Sequence, residues 1–128
     1  TDFRLYHVDE NGVKGSYIFD KRHSFYASHF KKFPVTPGVI LTETMAQIGL
    51  VCLGIYLAGE ISAEEDLRVV MTSAAVDFLK PVYPGERVIV TSEKIYFRFN
   101  KLSCRVFMEN ANGDTVCKGT VSGMLISN

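Results

Sequence analysis

Neither sign of charge is in excess in this chain: 14 Lys and Arg stand against 14 Asp and Glu in 128 residues. Without a global field, nothing draws the molecule as a whole to nucleic acid or to a membrane surface, and any charged partner has to be met locally. Paired cysteines are missing too. The three present, Cys52, Cys104 and Cys117, are odd in number and lack CxxC spacing, which excludes a disulfide framework and a zinc site, and no other metal site is signalled. Cys52 falls in an apolar run and the other two in strand-like segments, so all three are expected as reduced thiols packed like small apolar residues, in a cytoplasmic setting. No glycine-rich phosphate loop, nucleic-acid motif, internal repeat, low-complexity tract or linker interrupts the chain. No signal-peptide pattern precedes Phe3. The length suits one domain over residues 1–128, able to bury a substantial core.

What the chain does have is one long apolar run. Residues 39–58 place Val39, Ile40, Leu41, Met45, Ala46, Ile48, Leu50, Val51, Cys52, Leu53, Ile55 and Leu57 on every side of a helix. Such a helix is enclosed by protein or crosses a membrane. Glu43, Gln47, Thr42 and Thr44 in its first half argue against the membrane. Pro37 suits the first helical position, where its missing N–H has no intrahelical partner anyway, and Thr36 can cap. Gly59 supplies the stop, ahead of an acidic connector over residues 60–66.

Around this helix the pattern is that of strands. Residues 3–8 and 13–19 flank Asp9-Glu10-Asn11-Gly12, where Asn-Gly offers positive φ at both central positions of a tight turn. Residues 20–28 are too mixed to assign. Further strands are expected over 68–79, 87–99, 102–109 and 115–126, separated by the double-proline break at 80–85, a turn at Asn100-Lys101 and a turn at 110–114. The expectation is an α+β fold, a curved antiparallel sheet wrapped around one hydrophobic helix.

A carboxyl inside an apolar helix needs a reason, because an ionised carboxylate without partners is costly there. Glu43 has Gln47 one turn on along the same face as a structural partner. It also has His29 upstream, at the start of the loop that opens the helix. Gly38 and Val39 contribute amides at the positive end of the helix dipole, and glycine leaves room for a ligand oxygen to approach. An imidazole, a buried carboxyl able to hold its proton near neutral pH and free amides for an enolate-like oxygen suit proton abstraction α to a carbonyl, with loss or gain of a β substituent.

The stretch HFKKFPVTPGVILTETMAQIG, residues 29–49, resembles the motif of the 3-hydroxyacyl-(acyl carrier protein) dehydratases, the FabZ/FabA-like hot-dog family. There HF leads through a proline loop to PGV and then to an acid followed by AMAQ. The fourteen positions from His29 to Glu43 match that spacing. Glu at the acid position is similar to the branch that dehydrates without isomerising. A second likeness, AVDFLKPVYPGE over residues 75–86, is similar to the family's strand and PV–PGD turn.

The resemblance implies the hot-dog fold and a dimer in which His29 of one subunit works with Glu43 of the other. His29 would take the α proton, Glu43 would protonate the leaving hydroxyl, and the amides of Gly38 and Val39 would polarise the thioester carbonyl. Gln47 would support the acid, and Met45 and Phe78 would line an acyl tunnel, although plain core is the commoner role at such positions. Lys31 and Lys32, where the family carries Pro-Gly, would meet an acidic acyl carrier protein, and the other scattered cations read as solvated charge. His7 and His23 read as ordinary strand or loop histidines. No cofactor is implied beyond the phosphopantetheine arm carrying the substrate. The expected assembly is a homodimer, a higher homo-oligomer or a heterodimer with a related subunit, with no nucleic acid and no membrane. Fatty-acid and polyketide or polyene-like synthesis both fit. A hot-dog thioesterase and a non-catalytic acyl-binding subunit are the competing readings. The first needs no His and acid at this spacing, and the second leaves an idle buried carboxyl.

Overall fold

Val88, Val90 and Ser92 are buried while their neighbours are half-buried or exposed, and this period of two is what lets a strand turn one face to a core. The computed structural model describes residues 3–20, 35–59 and 67–127. In chain order these form β1 (Phe3–Asp9), β2 (Gly12–Ile18), α1 (Gly38–Ala46), a π-helical segment (Gln47–Cys52), α2 (Leu53–Ala58), β3 (Leu67–Phe78), β4 (Arg87–Arg98), β5 (Lys101–Asn110) and β6 (Thr115–Ser127). The six strands make one sheet in the order β1-β2-β4-β5-β6-β3, and every neighbouring pair is antiparallel. The curved sheet holds the helix against its inner face, which is the hot-dog fold. The acidic connector expected over residues 60–66 and the unassigned stretch beyond Asp20 lie outside the described residues.

The core is where helix and sheet meet. Met45, Ile48, Leu50 and Leu53 from the helix pack with Val88, Val90, Leu102, Val106, Met108, Val116 and Val121 from the strands. Two glycines set the distance between the layers. A Cβ on Gly49 would come within 2.9 Å of Val106, and one on Gly54 within 2.9 Å of Val69. Cys104 and Cys117 are fully buried in this core, and the Cys117 thiol donates to Met45 Sδ at 3.7 Å and Met108 Sδ at 3.8 Å.

Three local expectations are corrected. First, the helix is not enclosed on all sides by its own chain: Val39 is 73% exposed, and Ile55, Tyr56, Glu43 and Gln47 are also exposed. The single curved sheet covers one side only. The helix is also not uniformly α. Its middle widens into the π segment, where the buried Ser92 hydroxyl reaches in from β4 to donate to the Gly49 carbonyl at 2.8 Å. A side chain inserted into the backbone ladder is a recognised cause of such local widening.

Second, Pro37 occupies the N-cap position, and no side chain caps the first turn among the described residues. The amide of Thr36 is instead used to donate to the Val82 carbonyl at 2.8 Å. Third, the turns trade chemistries. At the first hairpin the Asp9 carboxylate accepts from the amides of Asn11 (2.8 Å) and Gly12 (3.1 Å), and neither residue has positive φ. The turn with two left-handed residues is Phe99-Asn100, at φ 51° and 63°, one position earlier than expected. The pairing of Arg98 with Lys101 leaves only those two residues to make the reversal.

Candidate active site

The two family-like stretches meet at the beginning of α1. The Thr36 to Val82 bond ties the helix approach to the double-proline turn, and that turn is held in place by Leu79 donating to the Val116 carbonyl at 2.8 Å. Gly85, at φ 88°, makes a bend that a side chain would strain. Across this junction the Phe78 ring lies over Gly38, so that a Cβ there would meet ring carbons at 3.1 and 3.2 Å. A groove beside it is lined by Val35, Thr36, Gly38, Leu41, Phe78 and Lys80 among others. Phe78 itself is 51% exposed.

The amides of Gly38 and Val39 stand in the first turn, where an α-helix offers no internal acceptor. The first bonds back into the helix come from Ile40 and Leu41, which both donate to the Pro37 carbonyl. Five residues beyond Gly38, about 7.5 Å along the axis, Glu43 opens onto a second cleft. That cleft, of about 390 Å³, is lined by Phe3, Tyr17, Ile40, Glu43, Thr44, Gln47, Ile48 and Cys52. Its wall is mostly apolar, with the Glu43 carboxylate, Thr44 and the Gln47 amide as the polar groups on the helix side. Gln47 Nε2 donates to Glu43 Oε1 at 3.1 Å, so the i, i+4 pairing expected from the sequence is made.

Glu43 differs from expectation in its surroundings. It is exposed within this chain, because the helix face that carries it is the face the sheet leaves open. Met45 is fully buried between Cys117 and the core and does not line either cleft. Its long apolar side chain is used as core filling, which answers the tunnel-wall expectation for it. His29, Lys31 and Lys32 lie outside the described residues, as does His23. His7 sits on β1, its Nε2 2.8 Å from Asp9 Oδ2 at the first turn, away from Glu43.

Phe3, Tyr17, Ile40, Thr44, Ile48 and Cys52 are the cleft residues that sequence reasoning missed. Ile48 and Cys52 follow Gln47 on the helix, where a signal was available. Phe3 and Tyr17 are brought in by the pairing of β1 with β2, in which they stand opposite one another, and nothing local marks them. Burial raises the thiol pKa of Cys52 and of Cys104, and pushes that of Cys117 up to about 11. None of the three is therefore an activated nucleophile.

Comparison with known proteins places this geometry in a class. The FabA-like domain family matches residues 6–122, most of the chain, and the chain belongs to that family. It is 34% identical over 74 residues to the 3-hydroxyacyl-(acyl-carrier-protein) dehydratase FabZ of Geotalea uraniireducens, covering 58% of this chain and 50% of that one. It is 32% identical over 98 residues to the FabZ of Geobacillus thermodenitrificans, covering 74% and 62%. The chain thus spans about half to six-tenths of these relatives' length.

Among solved structures, a mutant thioesterase from Staphylococcus aureus superposes with a TM-score of 0.74 at 10% identity, over 96% of this chain and 92% of that one. A hypothetical thioesterase from Streptococcus pneumoniae, solved with coenzyme A, gives 0.67 at 14%, over 98% and 87%. At these identities the likeness establishes the hot-dog fold.

Proposed function

We propose that the protein dehydrates a 3-hydroxyacyl thioester, carried on the phosphopantetheine arm of an acyl carrier protein, to the trans-2-enoyl thioester. The observation that carries the reading is the Gln47-braced carboxylate of Glu43 on the rim of an apolar cleft, on a residue about 7.5 Å along the helix axis from Gly38. His29 removes the proton from the α carbon. The carbonyl oxygen, gaining charge, is held by the amides of Gly38 and Val39. The electron pair left at the α carbon forms the double bond as the β carbon–oxygen bond breaks, and Glu43 protonates the departing hydroxyl to release water. The spent pair, imidazolium and carboxylate, resets by exchanging protons with solvent.

The acyl chain lies along the apolar wall of the cleft, and Lys31 and Lys32 meet the acidic carrier. His29 comes from a second copy of the chain, which also covers the open helix face and encloses Glu43. The setting is cytoplasmic fatty-acid or polyketide-like synthesis. The helix over Gly38–Ala58 is apolar enough to cross a membrane, at a mean hydropathy of 1.7, but here it is the helix against which the sheet packs.

Incubation with a 3-hydroxyacyl thioester, following enoyl product and free thiol together, tests the proposal. Enoyl formation that is lost in both His29→Ala and Glu43→Gln supports it. Free thiol as the product points instead to a thioesterase, and binding without either product points to an acyl-binding subunit.

A further inference from the structure

Met45, Met108 and Cys117 are fully buried and come from three elements, α1, β5 and β6. Met108 and Cys117 are direct partners in the β5–β6 ladder, and the helix brings Met45 to them. Cys117 Sγ lies 3.7 Å from Met45 Sδ and 3.8 Å from Met108 Sδ. A thiol carries one proton, so it donates to only one of these thioethers at a time. The other thioether meets Cys117 with no hydrogen between the two sulfurs. Three polarizable donors therefore converge inside an apolar core. Three sulfurs bound to one metal ion at about 2.3 Å in a trigonal plane stand about 4.0 Å apart, within about 0.3 Å of both separations here.

We propose that Met45, Met108 and Cys117 form a trigonal, all-sulfur site for copper(I). Thiolate and thioether ligands select this soft ion over harder ones. Charge selects it as well. As copper(I) binds, the Cys117 thiol proton leaves for solvent, a copper–thiolate bond forms, and one lone pair from each thioether completes the coordination. The metal keeps its oxidation state. One positive charge then meets one negative charge, so the core gains no net charge, whereas a divalent ion on the same three sulfurs would leave one buried without a counter-charge. Among the described residues no group of three His, Cys, Asp or Glu side chains is placed to hold a metal ion, so the sulfur trio is the ligand set this part of the fold offers.

The way in leads from the groove at the helix tip. Leu41, one turn before Met45 on α1, and Phe78, across from Cys117 in the β3–β6 ladder, both line that groove. The Phe78 ring is half exposed and is the movable part of the cover. Uptake is therefore slow, set by local opening of the core rather than by diffusion. Once bound, the ion ties α1 to β5 and β6 two residues along the helix from Glu43. The inference stands on the sulfur geometry and not on the dehydration reading.

The test is anaerobic incubation of the full chain with copper(I) until uptake is complete, followed by challenge with the copper(I) chelator ferrozine. One copper retained per chain is the expected result, with X-ray absorption showing three sulfurs at about 2.3 Å and no nitrogen or oxygen, and with a raised thermal midpoint. Met45→Leu and Met108→Leu keep the volume of the core and are each expected to weaken retention at least about tenfold. Cys117→Ala is expected to abolish it, and Cys52→Ala and Cys104→Ala to leave it as in wild type. Copper surrendered entirely to ferrozine overturns the site. So does a nitrogen or oxygen ligand, retention by Cys117→Ala, or retention by both leucine variants equal to wild type. Because the leucine variants preserve packing, the site remains open to refutation even if Cys117→Ala does not fold.

Discussion

The hydroxyl of Ser92 donates to the carbonyl of Gly49 at 2.8 Å, in the middle of the π segment, and both residues are buried. Gly49 lets the layers approach, and Ser92 satisfies the carbonyl that the wider turn aims at the sheet. Ser92→Ala leaves that carbonyl without its sheet partner and is expected to cost about 1–3 kcal/mol. Urea denaturation of the variant measures it. A midpoint unchanged from wild type would mean the carbonyl is satisfied within the helix and the hydroxyl is incidental.

Gly38 and Phe78 make the next test. Alanine at 38 pushes its methyl against the Phe78 ring, which is half exposed and able to swing away. Stability is expected to move by no more than about 1 kcal/mol. Dehydration, which needs an oxygen to approach the Gly38 amide, is expected to fall by at least about tenfold. The pair Gly38→Ala with Phe78→Ala should regain part of that loss, because the ring no longer narrows the approach. No recovery would place the amide outside the reaction.

Glu43 and Gln47 separate chemistry from positioning. Glu43→Gln removes the acid and is expected to lower kcat by about a hundredfold to ten-thousandfold. Gln47→Ala removes only the amide that braces it, with a loss of about tenfold expected in kcat, little change in KM and an altered pH profile. Both residues are exposed in the chain, so thermal unfolding should hardly shift. Equal losses in the two variants would assign Gln47 a direct part in the reaction.

Stability at alkaline pH follows from Cys117. Burial holds its folded-state pKa at about 11, above the ordinary thiol value of about 8.5 that the unfolded chain has. A raised pKa gives stability that is complete below the unfolded value and is lost as pH rises through the folded one. Unfolding free energy is therefore expected to decline between about pH 8.5 and 11. The decline should be shallower in Cys117→Ala, whatever the cavity costs at neutral pH. Alkylation of native protein at pH 8 should spare Cys104 and Cys117, and rapid labelling of either would contradict their packing.

Much of this architecture could be read before any coordinates. Alternation marked the strands, Gly59 marked the helix end, and the i, i+4 spacing of Glu43 and Gln47 announced their bond. What escaped the sequence was set by contacts distant along the chain. The π segment depends on Ser92, 43 residues away from Gly49, and Phe3 and Tyr17 reach the cleft only through strand pairing. Asn11-Gly12 has favourable turn chemistry, yet the Asp9 carboxylate made a different turn there. Phe99-Asn100 took the left-handed pair because β4 and β5 leave two residues between them. The apolar residues around the helix signalled enclosure on every side, but within this chain Val39, Ile55 and Tyr56 stay exposed, which a periodicity argument could not foresee.

The central claim is that an α proton and a β hydroxyl leave one substrate together. It is tested most directly by single turnover of a 3-hydroxyacyl thioester deuterated at the α carbon, with mass spectrometry of the product. The account predicts an enoyl thioester that has lost one α deuteron and its β oxygen with the thioester bond intact, and no such product from His29→Ala. A free acid that retains both α deuterons and the β oxygen would contradict it.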